Sequence, residues 1–166
     1  MNIKIIPFEE RYRTQLEKLF DDFQNFITEN LDTYRWSIHL KDYGEKVVTN
    51  NLVEIKKKGG VMLIAINDEK VIGFVMGTIV HQSKEDLLEA KPMIMGEANE
   101  LYVDPKYRGK GVGKQLLIGV EEFFRKKKCE FLWLSVASVN VNAYDFYKNN
   151  GYVDHDFNMI KKLSER

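Results

Sequence analysis

The residues of this chain best placed for chemistry lie between Gly96 and Leu117. A short apolar run ending at Val103 carries two carboxylates, Glu97 and Glu100, and is followed by a turn at Asp104–Pro105. Then comes Arg108-Gly-Lys-Gly-Val-Gly-Lys114, with glycines at every second position. Gly109, Gly111 and Gly113 leave main-chain N–H groups free of side-chain cover. The apolar helix expected next points its unpaired amides and the positive end of its dipole at the same place. Such a junction suits an anion, best a phosphate or pyrophosphate; an ordinary glycine-rich turn accounts for the same residues.

Two familiar phosphate loops do not fit. A Walker A loop needs Gly-Lys followed by Ser or Thr, and Gln115 follows Gly113-Lys114. A dinucleotide fingerprint needs a glycine three positions after Gly111, where Lys114 stands. The pattern that is met is Arg/Gln-x-x-Gly-x-Gly/Ala, by Arg108, Gly111 and Gly113 directly after a strand. A second pattern, N-x-x-A-x-x-F-Y-x-x-x-G-F/Y, is met by Asn140, Ala143, Phe146, Tyr147, Gly151 and Tyr152. With both in order, the chain resembles the GCN5-related N-acetyltransferase (GNAT) superfamily, most strongly over Gly96–Tyr152.

The resemblance implies an acyl-CoA N-acyltransferase fold: a mixed α/β domain over residues 1–166, with a central mixed sheet whose splayed parallel strands bind acetyl-CoA. It implies direct attack of an amine on the thioester of acetyl-CoA. The main chain of Leu101, Tyr102 and Val103 would bind pantetheine, whose amides are satisfied like those of an added strand. Arg108, Gly109, Lys110, Gly111, Val112, Gly113 and Lys114 would hold the pyrophosphate. Asn140 matches a CoA-contacting asparagine, although an N-cap ahead of Val141 explains it equally well. Tyr147 matches the tyrosine that protonates the CoA sulfur, and a packed helix aromatic is its plainer reading. Glu97 or Glu100 would be the base. Strand alternation puts the two on opposite faces unless a bulge intervenes, and partial burial would tune either carboxyl toward neutral pH. Ser135 stands where relatives acting on protein N-termini commonly carry Glu, which weakens a peptide acceptor.

The elements that must position these groups follow from periodicity. Ile3–Ile6 reads as a short strand. Tyr12, Leu16, Leu19, Phe20, Phe23 and Phe26 give an amphipathic helix. Trp36, Leu40, Tyr43, Val47, Val48, Leu52 and Ile55 give a second, with Gly44 as its weak point. Val61–Ile66 and Val71–Val80 form a hairpin, apolar enough for helices to cover both faces. His81–Met95 is a loop or short helix, a candidate substrate flap. Beyond the glycine loop, Val112 to Phe124 is helical, Phe131–Val136 is a buried strand parallel to the motif strand, and Ala143–Asn150 is a helix. Tyr152–Leu163 reads as a last strand, its edge open to a second copy in a homodimer, with Ser164–Arg166 frayed.

Composition narrows the partners. The chain has 166 residues, 44% hydrophobic and 30% charged, with a formal net charge of +0. No global field draws it to nucleic acid or membrane, and Arg125–Lys128 reads as a basic helix end. One cysteine, Cys129, excludes an internal disulfide and a cysteine metal cluster. His39, His81 and His155 lack ligand spacing, so no metal is expected. The opening residues have no long apolar run, no segment reaches the ~20 residues of a membrane helix, and a cytoplasmic location is the default.

The acids Glu29, Asp32, Glu85, Asp86, Glu89, Glu97 and Glu100 flank the expected opening and favour a small cationic primary amine. Other readings are a catalytically silent CoA-binding sensor, a peptide N-acetyltransferase and a nucleotide-phosphate binder.

Overall fold

The computed structural model describes residues 1–163, so the frayed end expected over Ser164–Arg166 lies outside the described residues. Two compact units are present, Met1–Ser135 and Val136 onward. The first holds strands β1 (Ile3–Pro7), β2 (Val61–Asn67), β3 (Lys70–Val80), β4 (Met95–Val103) and β5 (Phe131–Trp133) in one sheet, ordered β1-β2-β3-β4-β5. The first three pairings are antiparallel and β4–β5 is parallel, as the crossover rule requires.

Helices cover both faces of this sheet. On one lie α1 (Arg13–Asn30) and α2 (Tyr43–Lys58), whose apolar stripes bury Leu16, Phe20 and Val48 against Ile64, Phe74, Met76 and Tyr102. The rings of Phe20 and Phe74 stack with centroids 4.1 Å apart. On the other lies α4 (Val112–Lys126), burying Val112, Leu116, Val120 and Phe124. Gly77 and Gly96 admit the Phe124 ring, since a Cβ on either would lie within 2.7 Å of ring carbons. The flap region carries only one short helix, α3 (Asp86–Glu89).

The β2–β3 hairpin turns through Asp68 and Glu69, both at positive φ (48° and 62°), the geometry that matches strand twist in a two-residue loop. Gln15 of α1 secures it: its amide donates to Glu69 O at 3.2 Å, and its Oε1 accepts from Val71 N at 3.0 Å.

Four expectations need correction. Helix α2 begins at Tyr43, so Trp36 and Leu40 lie in the preceding connection and are exposed. That connection is tied down by polar contacts instead: Asp32 accepts from the amides of Tyr34 and Ser37, and buried Gln24 donates to Ile38 O at 2.9 Å. Gly44 is a close crossing rather than a weak point. A Cβ there would sit 2.1 Å from Glu17 O of α1, and the Gly44 amide donates to Asp21 Oδ1 at 2.9 Å. Strand β5 spans only three residues and is not buried, with Phe131 and Trp133 exposed at the sheet edge.

The fourth concerns the second unit. Helix α5 (Val141–Lys148) forms as expected, but no strand follows it among the described residues. Asp154 turns back to α5, accepting from Tyr144 Oη at 3.1 Å and Lys148 Nζ at 3.2 Å, while Val153, Phe157, Met159 and Leu163 are exposed. Alternation alone does not make a strand when no ladder partner is supplied. The proposed dimer edge falls with that strand.

The crossing at Gly44 yields a test. Helix propensity favours Ala over Gly by about 0.8–1.0 kcal/mol, but the collision is with main chain that cannot rotate aside. Overpacking of this kind costs about 1–3 kcal/mol. Gly44→Ala is therefore expected to lower the Tm by several degrees in a thermal melt; a rise in Tm would show that α1 and α2 do not approach this closely.

Candidate active site

The centre of the site is an irregularity in β4. Met76 pairs with Glu100 while Gly77 pairs with Ala98, so Asn99 is an extra residue opposite β3, a β-bulge. Residues paired across a ladder share a face. Glu100 therefore lies on the face of Met76, and Glu97, paired with Thr78, lies there too, because Met76 and Thr78 are two apart on β3. The extra residue brings both carboxylates to the α1–α2 side, the condition under which simple alternation fails. Asn99 is exposed, and the buried Thr78 hydroxyl donates to its Oδ1 at 3.2 Å.

The two carboxylates meet different surroundings. Glu100 is half-buried and accepts from Asn51 Nδ2 of α2 at 3.0 Å. Burial pushes its carboxyl up to about 7; the Asn51 hydrogen bond opposes that shift and does not overcome it. Tyr43 lies close enough for its phenol to be raised by burial first, then by the Glu100 charge and by Asp21. Glu97 instead faces the end of α2. The ammonium of Lys58 is favoured first by its bond to Glu54, at 2.9 Å, and more weakly by the charge of Glu97. A group that is half neutral near pH 7 can take up and release protons there. Glu100 is that group, and sequence gave no sign of its partner Asn51, which lies outside both motifs.

At the end of β4 the main chain is open on one side. The amide of Asp104 donates to Ile72 O at 3.0 Å. By the alternation of an antiparallel ladder, the main-chain groups of Tyr102 point at β3 and those of Leu101 and Val103 point at the opposite edge. The parallel ladder with β5 covers only Met95–Glu97, so within Met1–Ser135 that edge has no strand partner past Glu97. The Tyr102 side chain belongs to the core beneath α1.

The loop then closes on itself. Asp104 Oδ1 accepts from Lys106 N at 2.9 Å, starting a 3-10 turn over Pro105–Tyr107. Arg108 does not extend outward: its Nε donates to Val103 O at 3.0 Å, and its guanidinium lies over the rings of Phe26 and Tyr102. Lys110 reaches back to Lys106 O at 2.9 Å. Gly109 and Gly111 hold φ of 72° and 80°, and a Cβ on either would meet nothing within 4 Å, so the loop's main chain is bare. Helix α4 starts at Val112 with no side-chain cap and no acid in its first turn. The amides of Val112, Gly113 and Lys114 have no carbonyl within the helix. These residues fit a pyrophosphate: unpaired donors, no steric cover and no competing negative charge.

In the second unit, Asn140 caps α5, its Oδ1 accepting from Ala143 N at 3.3 Å. Tyr147 is half-buried between the rings of Phe146 and Tyr152, and burial pushes its phenol up to about 12. Among the expected acids, Asp32 is engaged by its loop amides, and Asp86 by the amide of Ser83 at 2.7 Å. Among the described residues, no helix is long and apolar enough to cross a membrane.

A family model described as "Acetyltransferase (GNAT) family" matches residues 15–152. An uncharacterized N-acetyltransferase of Archaeoglobus fulgidus is 32% identical over 134 residues, covering 76% of this chain and 84% of that protein. The spermidine N(1)-acetyltransferase of Thermoplasma acidophilum is 25% identical over 156 residues, 86% of this chain and 89% of its own. Other curated relatives are matched over 28% to 64% of their own length. The solved structure of the aminoglycoside N-acetyltransferase AAC(6')-Iy in complex with CoA has a TM-score of 0.74 at 17% identity, covering 98% of this chain and 95% of that one. At that identity the likeness is one of fold. With the family matched across most of its length, the chain belongs to the GNAT family of N-acetyltransferases.

Proposed function

We propose that this chain transfers the acetyl group of acetyl-CoA to a primary amine of a small cationic molecule, with Glu100 as the base. The observation that carries the reading is the bulge at Asn99, which seats a half-buried carboxylate beside the open edge of β4. Bound acetyl-CoA would supply an activated acyl thioester. The amides of Gly109–Lys114 hold its pyrophosphate, and the main-chain groups of Leu101 with the Val103 amide take the pantetheine amides as a strand would, Val103 O being held by Arg108. Arg108 serves from behind, tying the loop to β4. Glu100, ionised above pH about 7, removes the proton from the acceptor ammonium. The freed amine attacks the thioester carbon. As the C–N bond forms and the C–S bond breaks, Tyr147, whose phenol keeps its proton up to about 12, delivers it to the departing sulfur. The phenol is restored by the proton that the acylated nitrogen gives up through solvent. Asn140 keeps the start of α5 in place for that tyrosine.

A cationic acceptor is favoured by relatives named for spermine and spermidine and by Glu29, Glu97 and Glu100. Asp32 and Asp86 are tied to main-chain amides, which hold them below the usual carboxylate range, so they add negative charge without being free to contact the acceptor. The attraction comes from charges near solvent and is screened by salt. A panel of polyamines, aminoglycosides, and neutral and acidic amines, followed by thiol release from acetyl-CoA, tests this directly. Polyamines or aminoglycosides are expected to be the best acceptors, with KM rising with ionic strength. Thiol release from none of them, by protein that binds acetyl-CoA, would leave a silent CoA-binding module instead.

The loop assignment predicts that Gly111→Val, which forces a β-branched residue to a φ near 80°, weakens acetyl-CoA binding by about tenfold or more. Unchanged affinity in a folded variant, measured by calorimetry, would remove the loop from the site.

The pH dependence follows from the two titrating groups. Glu100 is neutral and idle below its midpoint and ionised and competent above it, so kcat/KM should climb through pH about 7 and then stay level. Tyr147→Phe should lower kcat by ~10²–10⁴-fold without moving that limb. A full-speed Tyr147→Phe enzyme would return the tyrosine to packing alone.

A further inference from the structure

We propose that Asn51 is a positioning residue for the Glu100 base: from the middle of α2, its carboxamide holds one carboxylate oxygen and leaves the other for the acceptor amine. The inference rests on the reading of Glu100 as the base. Asn51 Nδ2 donates to Glu100 Oε2 at 3.0 Å. The second oxygen, Oε1, has no hydrogen-bond partner among the described residues and is not sealed from solvent. One oxygen is thus fixed to the scaffold and one remains available to a ligand.

The contact has chemical direction. A carboxamide N–H can donate only to the ionised acid or to its carbonyl oxygen, and it is strongest toward the charge. It therefore favours the form of Glu100 that accepts a proton, against the burial that disfavours it. Other charged and titratable groups facing this carboxyl are few. Tyr43 comes from α2, with Asp21 of α1 beyond it. Glu97 shares the sheet face but lies at the end of α2 beside Lys58, which is itself paired with Glu54. On β3 the cross-strand partner is Met76, which does not titrate. No cation neutralises Glu100 among these, so Asn51 is its principal support.

The same arrangement separates the two carboxylates. Glu97 lies toward the Lys58 ammonium at the end of α2, whereas Glu100 has the neutral Asn51 carboxamide as its donor. The choice of base is made by α2 and not by the strand that carries both acids.

The test is a titration of the Glu100 carboxyl by ¹³C NMR in ligand-free protein, with pH–rate profiles for wild type, Asn51→Leu, Asn51→Asp and Glu100→Gln. In wild type both midpoints are expected near 7. Losing a hydrogen bond to a charged group corresponds to about one pH unit. Asn51→Leu should therefore move the NMR midpoint and the acid limb of kcat/KM upward together by about one unit. Activity at pH 6 then falls about tenfold and recovers at high pH. Asn51→Asp, nearly isosteric and so the safer fold, should shift the midpoint upward as well, because two adjacent carboxyls resist double ionisation. A merely structural asparagine would instead lower activity equally at every pH with the NMR midpoint in place, and that result overturns the proposal. If Glu100→Gln abolishes the limb while both Asn51 variants keep the wild-type midpoint, only the role of Asn51 is lost. If Glu100→Gln retains the limb, the base assignment itself falls, and Asn51 with it.

Discussion

One extra residue in β4 governs the arrangement of this protein. A regular strand would send Glu97 and Glu100 to opposite faces, one toward α2 and the other into the apolar layer beneath α4. A carboxylate in that second layer would be a buried charge without a partner, a cost of several kcal/mol. Asn99 absorbs the mismatch at the exposed edge, where its own main chain can find water, and Thr78 steadies its side chain. The face toward α4 is then left to small residues: Gly77 and Gly96 make room for Phe124. The bulge and the packing of α4 are two sides of one constraint.

What the bulge delivers, α2 tunes. This helix is held by its close crossing with α1 at Gly44, where main chain meets main chain, and by the Asp21 carboxylate at its first amides, a favourable place for negative charge. From that fixed start it crosses the sheet over β2 and β3, with Asn51 bonded to Glu100 and Lys58 toward Glu97. Burial and hydrogen bonding act on Glu100 with opposite signs, and burial wins, leaving the carboxyl near neutrality. A shift of α2 by one turn, about 5.4 Å, would carry Asn51 away from Glu100 and leave its burial unopposed.

The glycine-rich junction before α4 follows another logic: its main-chain donors are left uncovered. The bare glycines, the uncapped start of α4 and the absence of acids in its first turn keep amide donors free. Free donors need a rigid frame, since loose amides would bond to water or to one another. Arg108 contributes that frame by gripping Val103 O and resting on Phe26 and Tyr102, so the loop is fastened to β4 and to α1 at once.

Sequence by itself determined whatever depends on neighbours along the chain. The glycine spacing after Val103, the apolar stripes of α1 and α4, the Asn140 cap and the order of strands are local or periodic, and the structure has them. Tertiary structure decided the rest. Trp36 and Leu40 fit a helical stripe by spacing, yet the helix starts at Tyr43, because Asp32 and Gln24 give the preceding main chain other partners. Tyr152–Leu163 alternates like a strand but has no ladder to join among the described residues. Gly44 reads as a helix defect until the opposing carbonyl of Glu17 is seen. Above all, the face of Glu100 and its bond to Asn51 depend on a register shift between two strands and on a helix 49 positions earlier. A pairing across that distance is set by packing in three dimensions, and no periodicity within either segment encodes it.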